Sequence, residues 1–116
     1  MIQGTFKRSH SGQIKAFTFT GHADSGPYGS DIVCAAISTL AISTVNSLEA
    51  LAGVIPVIET NETQGGYLHV ALPVHDKMTQ EQMNISQILL EHLLLAAQSV
   101  EDEYLDFVQI KTETKQ

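Results

Sequence analysis

The sequence predicts an α+β fold, with a single sheet of about four to five strands and two helices packed on it, in the order β-β-α-β-β-α-β. Its 116 residues, 43% of them hydrophobic, suit one domain spanning residues 1–116. Runs of β-branched and aromatic residues occur in five places, and helical apolar periodicity occurs in two. A chain of this size buries roughly two-thirds of the surface that its unfolded form exposes, so the fold needs neither a metal nor a disulfide.

The first two strands are predicted at Ile2–Arg8 and Ile14–Thr20. They form a hairpin, because Ser11-Gly12 supplies a turn between them. Alternation divides the second strand between two faces, with Lys15, Phe17 and Phe19 on one and Ile14, Ala16 and Thr18 on the other.

A glycine-rich segment and a long helix follow the hairpin. Three glycines, Gly21, Gly26 and Gly29, indicate a mobile loop that opens and closes on substrate, although turn geometry alone also explains them. The helix is expected to begin at Ser30 or Asp31, which accept free N–H groups, and to stop at Gly53. Apolar residues cover most of its circumference, so we expect it to be buried on more than one side, as in a dimer.

The second half of the chain repeats the pattern of two strands and a helix. Strands are predicted at Val54–Thr60 and Tyr67–Leu72, the first at a sheet edge or with a late start because of Pro56. Thr79 and Gln82 form a capping box that opens a second helix. A last strand is expected from Tyr104 to Thr112.

Composition excludes several classes of function. Thirteen acids against six bases give a net charge of −7, which argues against nucleic-acid binding and allows a basic partner. We find no apolar run of the ~20 residues that span a bilayer and no signal peptide, so a cytoplasmic protein without a membrane partner is expected. One cysteine cannot form an internal disulfide or a cysteine-rich zinc site, and no metal or other cofactor is expected.

Cys34 and His22 are the candidates for chemistry. Cys34 is expected in the first turn of the first helix, where free N–H groups and the helix dipole favour the thiolate and can bind an oxyanion. His22, in the glycine-rich segment, is the titratable partner that such a thiol needs. Two ordinary interpretations stay open at this point, since a lone cysteine is often a small buried hydrophobe and a loop histidine is often solvated.

The motif around these two residues resembles that of a known family. Gly21-His22-Ala23, then Tyr28-Gly29, then the block from Asp31 to Ser38 closely resemble the ribosomal-processing cysteine protease family, Prp. The resemblance extends over essentially the whole chain. It implies a small dimeric cysteine endopeptidase that removes the N-terminal extension of large-subunit ribosomal protein twenty-seven, cutting after a phenylalanine. It further implies that Cys34 is the nucleophile and His22 the general base and acid.

Supporting roles and alternative functions remain open. Asp31 either orients the His22 imidazole or caps the helix, and Asp24 is a weaker orienting candidate. Ser38, one turn after Cys34, either hydrogen-bonds near the thiol or bonds back to the helix. The alternative functions are a non-catalytic ribosome-assembly factor that binds a basic ribosomal tail and a redox sensor that uses Cys34 alone. An activated thiol should be alkylated at pH values well below the roughly 8.5 at which free cysteine ionises.

Overall fold

The computed structural model describes residues 1–21, 27–61 and 66–114, with the backbone alone for residues 27–31 and 75. The predicted element order is confirmed. The elements are β1 (Ile2–Arg8), β2 (Ile14–Thr20), α1 (Pro27–Ala52), β3 (Val57–Thr60), β4 (Tyr67–Ala71), α2 (Gln80–Glu103) and β5 (Val108–Thr114), with a short 3-10 helix at His75–Lys77.

The five strands form one mixed sheet in the order β3-β4-β2-β1-β5. The pairs β1–β2, β2–β4 and β3–β4 are antiparallel, whereas β1 and β5 are parallel, with Ile2 opposite Val108. β3 lies at the sheet edge and begins directly after Pro56, as the missing N–H of that proline predicts. β1 therefore lies in the interior of the sheet, and β5 forms the edge opposite β3.

One face of the sheet carries an aromatic core. The rings of Phe6, Phe17 and Phe19 lie with centroids 5.7–5.9 Å apart. Gly4 pairs with Phe19 across the β1–β2 ladder, and a Cβ there would lie 2.6 Å from Phe19 Cε1 and 2.8 Å from Ile110 Cδ1. The Phe19 ring thus occupies the space that a side chain at Gly4 would fill.

The two helices complete the core. Among the described residues, eight helix side chains belong to the main buried cluster: Val33, Ile37, Ala41 and Leu48 from α1, and Leu90, Leu93, Leu94 and Ala97 from α2. The predicted capping box at Thr79 and Gln82 is confirmed. Gln82 Nε2 also donates to the Gly53 carbonyl at 3.1 Å, which ties the end of α1 to the start of α2.

The start of α1 differs from the prediction and its end agrees with it. The helix begins at Pro27, not at Ser30 or Asp31, because proline suits the first helical position, where its missing N–H has no partner to lose. It ends at Ala52. Gly53 follows with φ of 67° and its N–H donates to the Glu49 carbonyl at 3.1 Å, a glycine-terminated helix end.

The predicted faces of β2 were wrong at its first residues. A bulge shifts the register, so that Lys7 pairs with Ala16 while Arg8 pairs with Ile14. Lys15 is the extra residue, and Ile14 is consequently fully buried in the core rather than on the opposite face. Gln87 of α2 fixes this position, since it accepts from the Ile14 N–H at 2.7 Å and donates to the Ile14 carbonyl at 2.8 Å.

The remaining boundaries shift by one to four residues. β3 begins at Val57 instead of Val54, and β4 ends at Ala71 instead of Leu72. β5 ends at Thr114 instead of Thr112, since its pairing with β1 continues to Arg8. It begins at Val108 instead of Tyr104, because Tyr104 is the C-cap of α2 and its carbonyl accepts the Phe107 N–H at 2.9 Å in a turn.

α1 contradicts the expectation that no segment is long and apolar enough to span a bilayer. Its stretch Ile32–Ala52 has 21 residues and a mean hydropathy of 1.5, which meets that test by length and composition. The helix supplies four residues to the core of the domain. Its opposite face includes Ile42 and Leu51, which are 57% and 63% exposed. We interpret α1 as a core helix with one apolar face left uncovered.

Candidate active site

A cavity of about 370 Å³ opens beside Cys34 where the ends of three strands meet α1. Its apolar walls come from the start of β1, the end of β2 and one face of α1, and include Ile2, Phe19 and Ile37. Tyr67 and Leu68 at the start of β4 line the other side. This volume lies in the ~300–1,000 Å³ range of ligand sites, and the walls are mainly hydrophobic, as such sites usually are.

The Cys34 thiol is free and half-buried, and it lines this cavity. It is therefore not a sealed core residue. Its predicted place in the first helical turn was wrong, because α1 begins at Pro27 and Cys34 is its eighth residue. The field of a helix terminus falls off within the first turn, so the prediction that the start of α1 favours the thiolate of Cys34 loses its basis.

Ser38 lines the same cavity and is exposed. Back-bonding to the carbonyl four residues earlier is made by Thr44, to Leu40 at 2.8 Å, and by Ser99, to Leu95 at 3.0 Å. No such bond from Ser38 occurs in the described part of the chain. The expectation that Ser38 bonds back to the helix was therefore wrong, and its hydroxyl is available to the cavity.

Asp31 and Gly29 both lie within α1. Asp31 is the fifth helical residue, so the interpretation of this residue as the helix cap was wrong. It precedes Cys34 by three residues and thus shares its helix face. The interpretation that it orients His22 stays a prediction. Gly29 is the third helical residue and is not part of a loop.

His22 lies outside the described residues, as do Ala23, Asp24 and Gly26. Its chain neighbour Gly21 is described and lines the Cys34 cavity. The Gly21 N–H donates to the Gly66 carbonyl at 2.7 Å, and Gly66 lines the same cavity. Cys34 and the residue that precedes His22 are thus brought to one cavity, although they are 13 positions apart in the sequence.

Apart from Cys34 and Tyr67, no described titratable side chain lines this cavity. A hydrogen bond of 2.7 Å joins His69 Nδ1 to Thr18 Oγ1. Both side chains lie on the sheet face opposite the aromatic core, because each neighbours a core residue in its strand. Among the described residues, no three His, Cys, Asp or Glu side chains group together in a way that suits a metal ion.

An ion pair joins the hairpin to α2. Arg8 Nη1 lies 2.6 Å from Glu91 Oε2, and its Nη2 donates to Glu91 Oε1 at 2.9 Å. The hydrogen bonds and positive charge of Arg8 lower the pKa of Glu91. Neither residue lines the cavity, so the pair stabilises the fold rather than the site.

Sequence reasoning found Gly21, Cys34 and Ser38 but missed the rest of the cavity wall. Ile2, Tyr67 and Leu68 reach the site through sheet pairing, with Phe19 opposite Leu68 in the β2–β4 ladder, whereas Gly66 is placed by the hydrogen bond from Gly21. Nothing in the local sequence of β4 marks it as part of a site. The strand pattern of β4 indicates its place at the site only once its pairing with β2 is known.

Comparison with known proteins agrees with this geometry. The family model described as Cysteine protease Prp matches residues 1–109. Ribosomal processing cysteine protease Prp of Bacillus subtilis (strain 168) is 33% identical over 112 residues, which cover 97% of each chain. The crystal structure of SMU.848 from Streptococcus mutans has a TM-score of 0.86 and 39% identity, over 99% of this chain and 96% of that one. Prp from S. aureus, crystallised with a covalently linked product peptide, has a TM-score of 0.82 and 27% identity, over 97% of this chain and all of the other.

Proposed function

The chain belongs to the Prp family of cysteine proteases, and on that premise we propose that it removes the N-terminal extension of large-subunit ribosomal protein twenty-seven by cutting after a phenylalanine. Cys34 is the nucleophile in this proposal and His22 is the general base and acid. The observation that carries it is the half-buried Cys34 thiol, which opens to a cavity that the residue before His22 also lines.

The reaction follows from the two groups. His22 takes the thiol proton, and the Cys34 sulfur attacks the carbonyl carbon of the peptide bond after the phenylalanine. The C–N bond breaks, His22 protonates the departing amine, and the acyl group stays on sulfur. His22 then deprotonates a water, which attacks the thioester, releases the new carboxylate and regenerates the thiol.

The walls of the cavity support a phenylalanine on the acyl side of the cut. Ile2, Phe19, Ile37 and Leu68 present an apolar surface next to the sulfur. Burial of an aromatic side chain removes 150–250 Å² from water, which at roughly 25 cal/mol per Å² is a large share of the affinity of a short peptide.

Relatives support a peptide substrate and a covalent step. S. aureus Prp has been crystallised with a substrate peptide and with a covalently linked product peptide. A nucleophilic cysteine is the group that forms such a link in an enzyme of this class. The net charge of −7 favours encounter with a basic ribosomal protein, and the cytoplasm is where we place the reaction.

The decisive experiment is mass spectrometry of the N-terminal peptide of the ribosomal protein after incubation with the enzyme. We expect loss of the extension with the wild type, no cleavage with Cys34→Ala or His22→Ala, and full cleavage with the control Ser99→Ala, an exposed site on α2. Binding of the ribosomal protein without cleavage would overturn the proposal in favour of an assembly factor, and an activated thiol without binding or cleavage would favour a redox sensor.

Two residues on the Cys34 face of α1 are proposed to assist. Asp31 orients the His22 ring, and the Ser38 hydroxyl hydrogen-bonds in the cavity near the sulfur. Asp31→Asn should lower kcat without a change in the thermal unfolding midpoint, because Asp31 is the fifth residue of α1 and does not cap this helix. An unchanged kcat would remove Asp31 from the mechanism, and the same measurement on Ser38→Ala tests the hydroxyl.

We also propose that the enzyme is a homodimer that pairs through the outer face of α1. A shallow groove of about 620 Å³ runs along this face and is lined by uncharged residues, among them Ala35, Ile42 and Leu51. Two copies of a chain with a net charge of −7 need an uncharged surface to meet. Leu51→Glu should yield a monomer in sedimentation, whereas the control Ile88→Glu, at a site 70% exposed on α2, should stay dimeric.

A further inference from the structure

Gly21 occupies a conformation that an L-residue rarely adopts and is tightly enclosed. Its φ is +87°, and a Cβ built on it would overlap the Met1 carbonyl oxygen. Its N–H donates to the Gly66 carbonyl at 2.7 Å. The backbone of Gly21 is thus held between the first residue of the chain and the residue before β4. This differs from the freedom that the glycine-rich sequence predicts.

Gly12 shows that this enclosure does not follow from the conformation alone. Its φ is +90°, almost the same as that of Gly21, and a Cβ there would meet nothing within 4 Å. Gly12 lies at the hairpin turn, whereas Gly21 lines the Cys34 cavity together with Gly66. Gly12 and Gly21 therefore share a positive φ, but only Gly21 is enclosed by other residues and lines the Cys34 cavity.

We propose that Gly21 is a positioning residue, the fixed point from which the chain leaves β2 so that His22 can reach Cys34. This inference rests on the proposed function. A peptide unit spans 3.8 Å between Cα atoms, so the place and direction of Gly21 limit where the next residue can begin. A base must come within about 2.6–3.2 Å of the group that it deprotonates, and a 1 Å misplacement can cost about 100-fold in rate.

A side chain at Gly21 should displace this point while the sheet still forms. The Met1 carbonyl lies just before the first residue of β1 and the Gly21 peptide just after the last residue of β2, so relief of the overlap shifts these two strand ends rather than the paired residues between them. We expect Gly21→Ala to lower kcat by 10- to 100-fold with less than about a 3-fold change in KM, because the substrate cavity is retained. Gly12→Ala should leave both constants within 2-fold of the wild type.

The second measurement follows the thiol without substrate. The rate of iodoacetamide alkylation of Cys34 is compared between pH 6 and pH 9 in the wild type, Gly21→Ala, Gly12→Ala and His22→Ala. We expect the profile of Gly21→Ala to approach that of His22→Ala and the profile of Gly12→Ala to match the wild type. A merely structural role of Gly21 would not move this profile, provided that all proteins are assayed well below their unfolding midpoints.

The outcomes separate this inference from the proposed function. Wild-type kcat and a wild-type alkylation profile in Gly21→Ala would overturn the positioning role, while cleavage by the wild type would still stand. If the wild type does not cleave the peptide, the proposed function fails and the alkylation profiles alone decide whether Gly21 places His22. Should Gly21→Ala not fold, Gly21→Asn with the control Gly12→Asn replaces it, because asparagine tolerates positive φ better and still carries a Cβ.

Discussion

The replacement of Gln87 by alanine tests how α2 closes the bulged start of β2. The side-chain amide of Gln87 makes two hydrogen bonds to the backbone of Ile14, one to each polar group, at 2.7 and 2.8 Å. Pairing of β2 with β4 begins only at Ala16, so this strand partner does not reach Ile14. Since Ile14 is fully buried, its N–H and carbonyl depend on Gln87.

The loss of unfolding free energy in Gln87→Ala follows from the two Ile14 backbone groups, the N–H and the carbonyl, that lose their partner. A buried donor or acceptor left without a partner costs about 1–3 kcal/mol. Gln87 is itself half-buried, so water that enters the vacated space recovers part of that cost. We therefore expect Gln87→Ala to lower the free energy of unfolding by about 2–4 kcal/mol, a large part of the roughly 5–15 kcal/mol of such a domain.

Urea unfolding followed by circular dichroism measures this loss. With a slope of about 1.5 kcal/mol per molar urea, the midpoint should fall by roughly 2 M. The matched control is Gln80→Ala, also on α2, whose amide donates to Asn84 at an exposed position and should contribute less than about 0.5 kcal/mol. If Gln87→Ala costs no more than this control, then water serves the Ile14 backbone as well as the side chain does, and our reasoning is wrong.

Three further changes probe the same core and its edges. Ser86→Ala should raise stability by about 1 kcal/mol in urea unfolding, because the fully buried Ser86 hydroxyl has no partner among the described residues; a loss would mean that the hydroxyl is satisfied after all. Because Arg8 lowers the pKa of Glu91, their pairing stabilises the fold above the unfolded pKa of ~4.3, and this stability is lost as the pH falls through the folded pKa. Since the Glu91 side chain is 43% exposed, the contribution is about 0.5–1 kcal/mol. Glu91→Gln should therefore reduce the change in unfolding free energy between pH 6 and pH 3, and an unchanged slope would contradict this prediction. Gly4→Ala should cost about 1–3 kcal/mol by overpacking against Phe19, and an unshifted thermal midpoint would show that the ring can move.

Much of the fold could be predicted because local rules and tertiary packing agree there. The hairpin strands were predicted with their observed bounds, since alternation and the Ser11-Gly12 turn indicate the same structure. The start of α2 was found because a capping box is a local device that needs only Thr79 and Gln82. The end of α1 was found for the same reason, since Gly53 adopts the positive φ that ends helices.

The errors come from residues with two local meanings or with distant partners. Pro27 marks both a loop and a first helical turn, and the choice between them moved Cys34 from the first turn of α1 to its eighth residue. The bulge that buries Ile14 is held by Gln87, which lies 73 residues away. Of the site, the thiol could be found by its chemistry, whereas Tyr67 and Leu68 needed the strand pairing.

The parallel pairing of β1 with β5 has a consequence for how the molecule is made. Residues 2–8 pair on their second side with residues 108–114, so one entire side of the first strand stays unpaired until residue 114 has been synthesised. Pairings of such long separation form slowly, because a large loop must close before they contribute. The hairpin and helices can assemble during translation, but we expect the last seven-residue strand to seal the sheet only after it has cleared the exit tunnel.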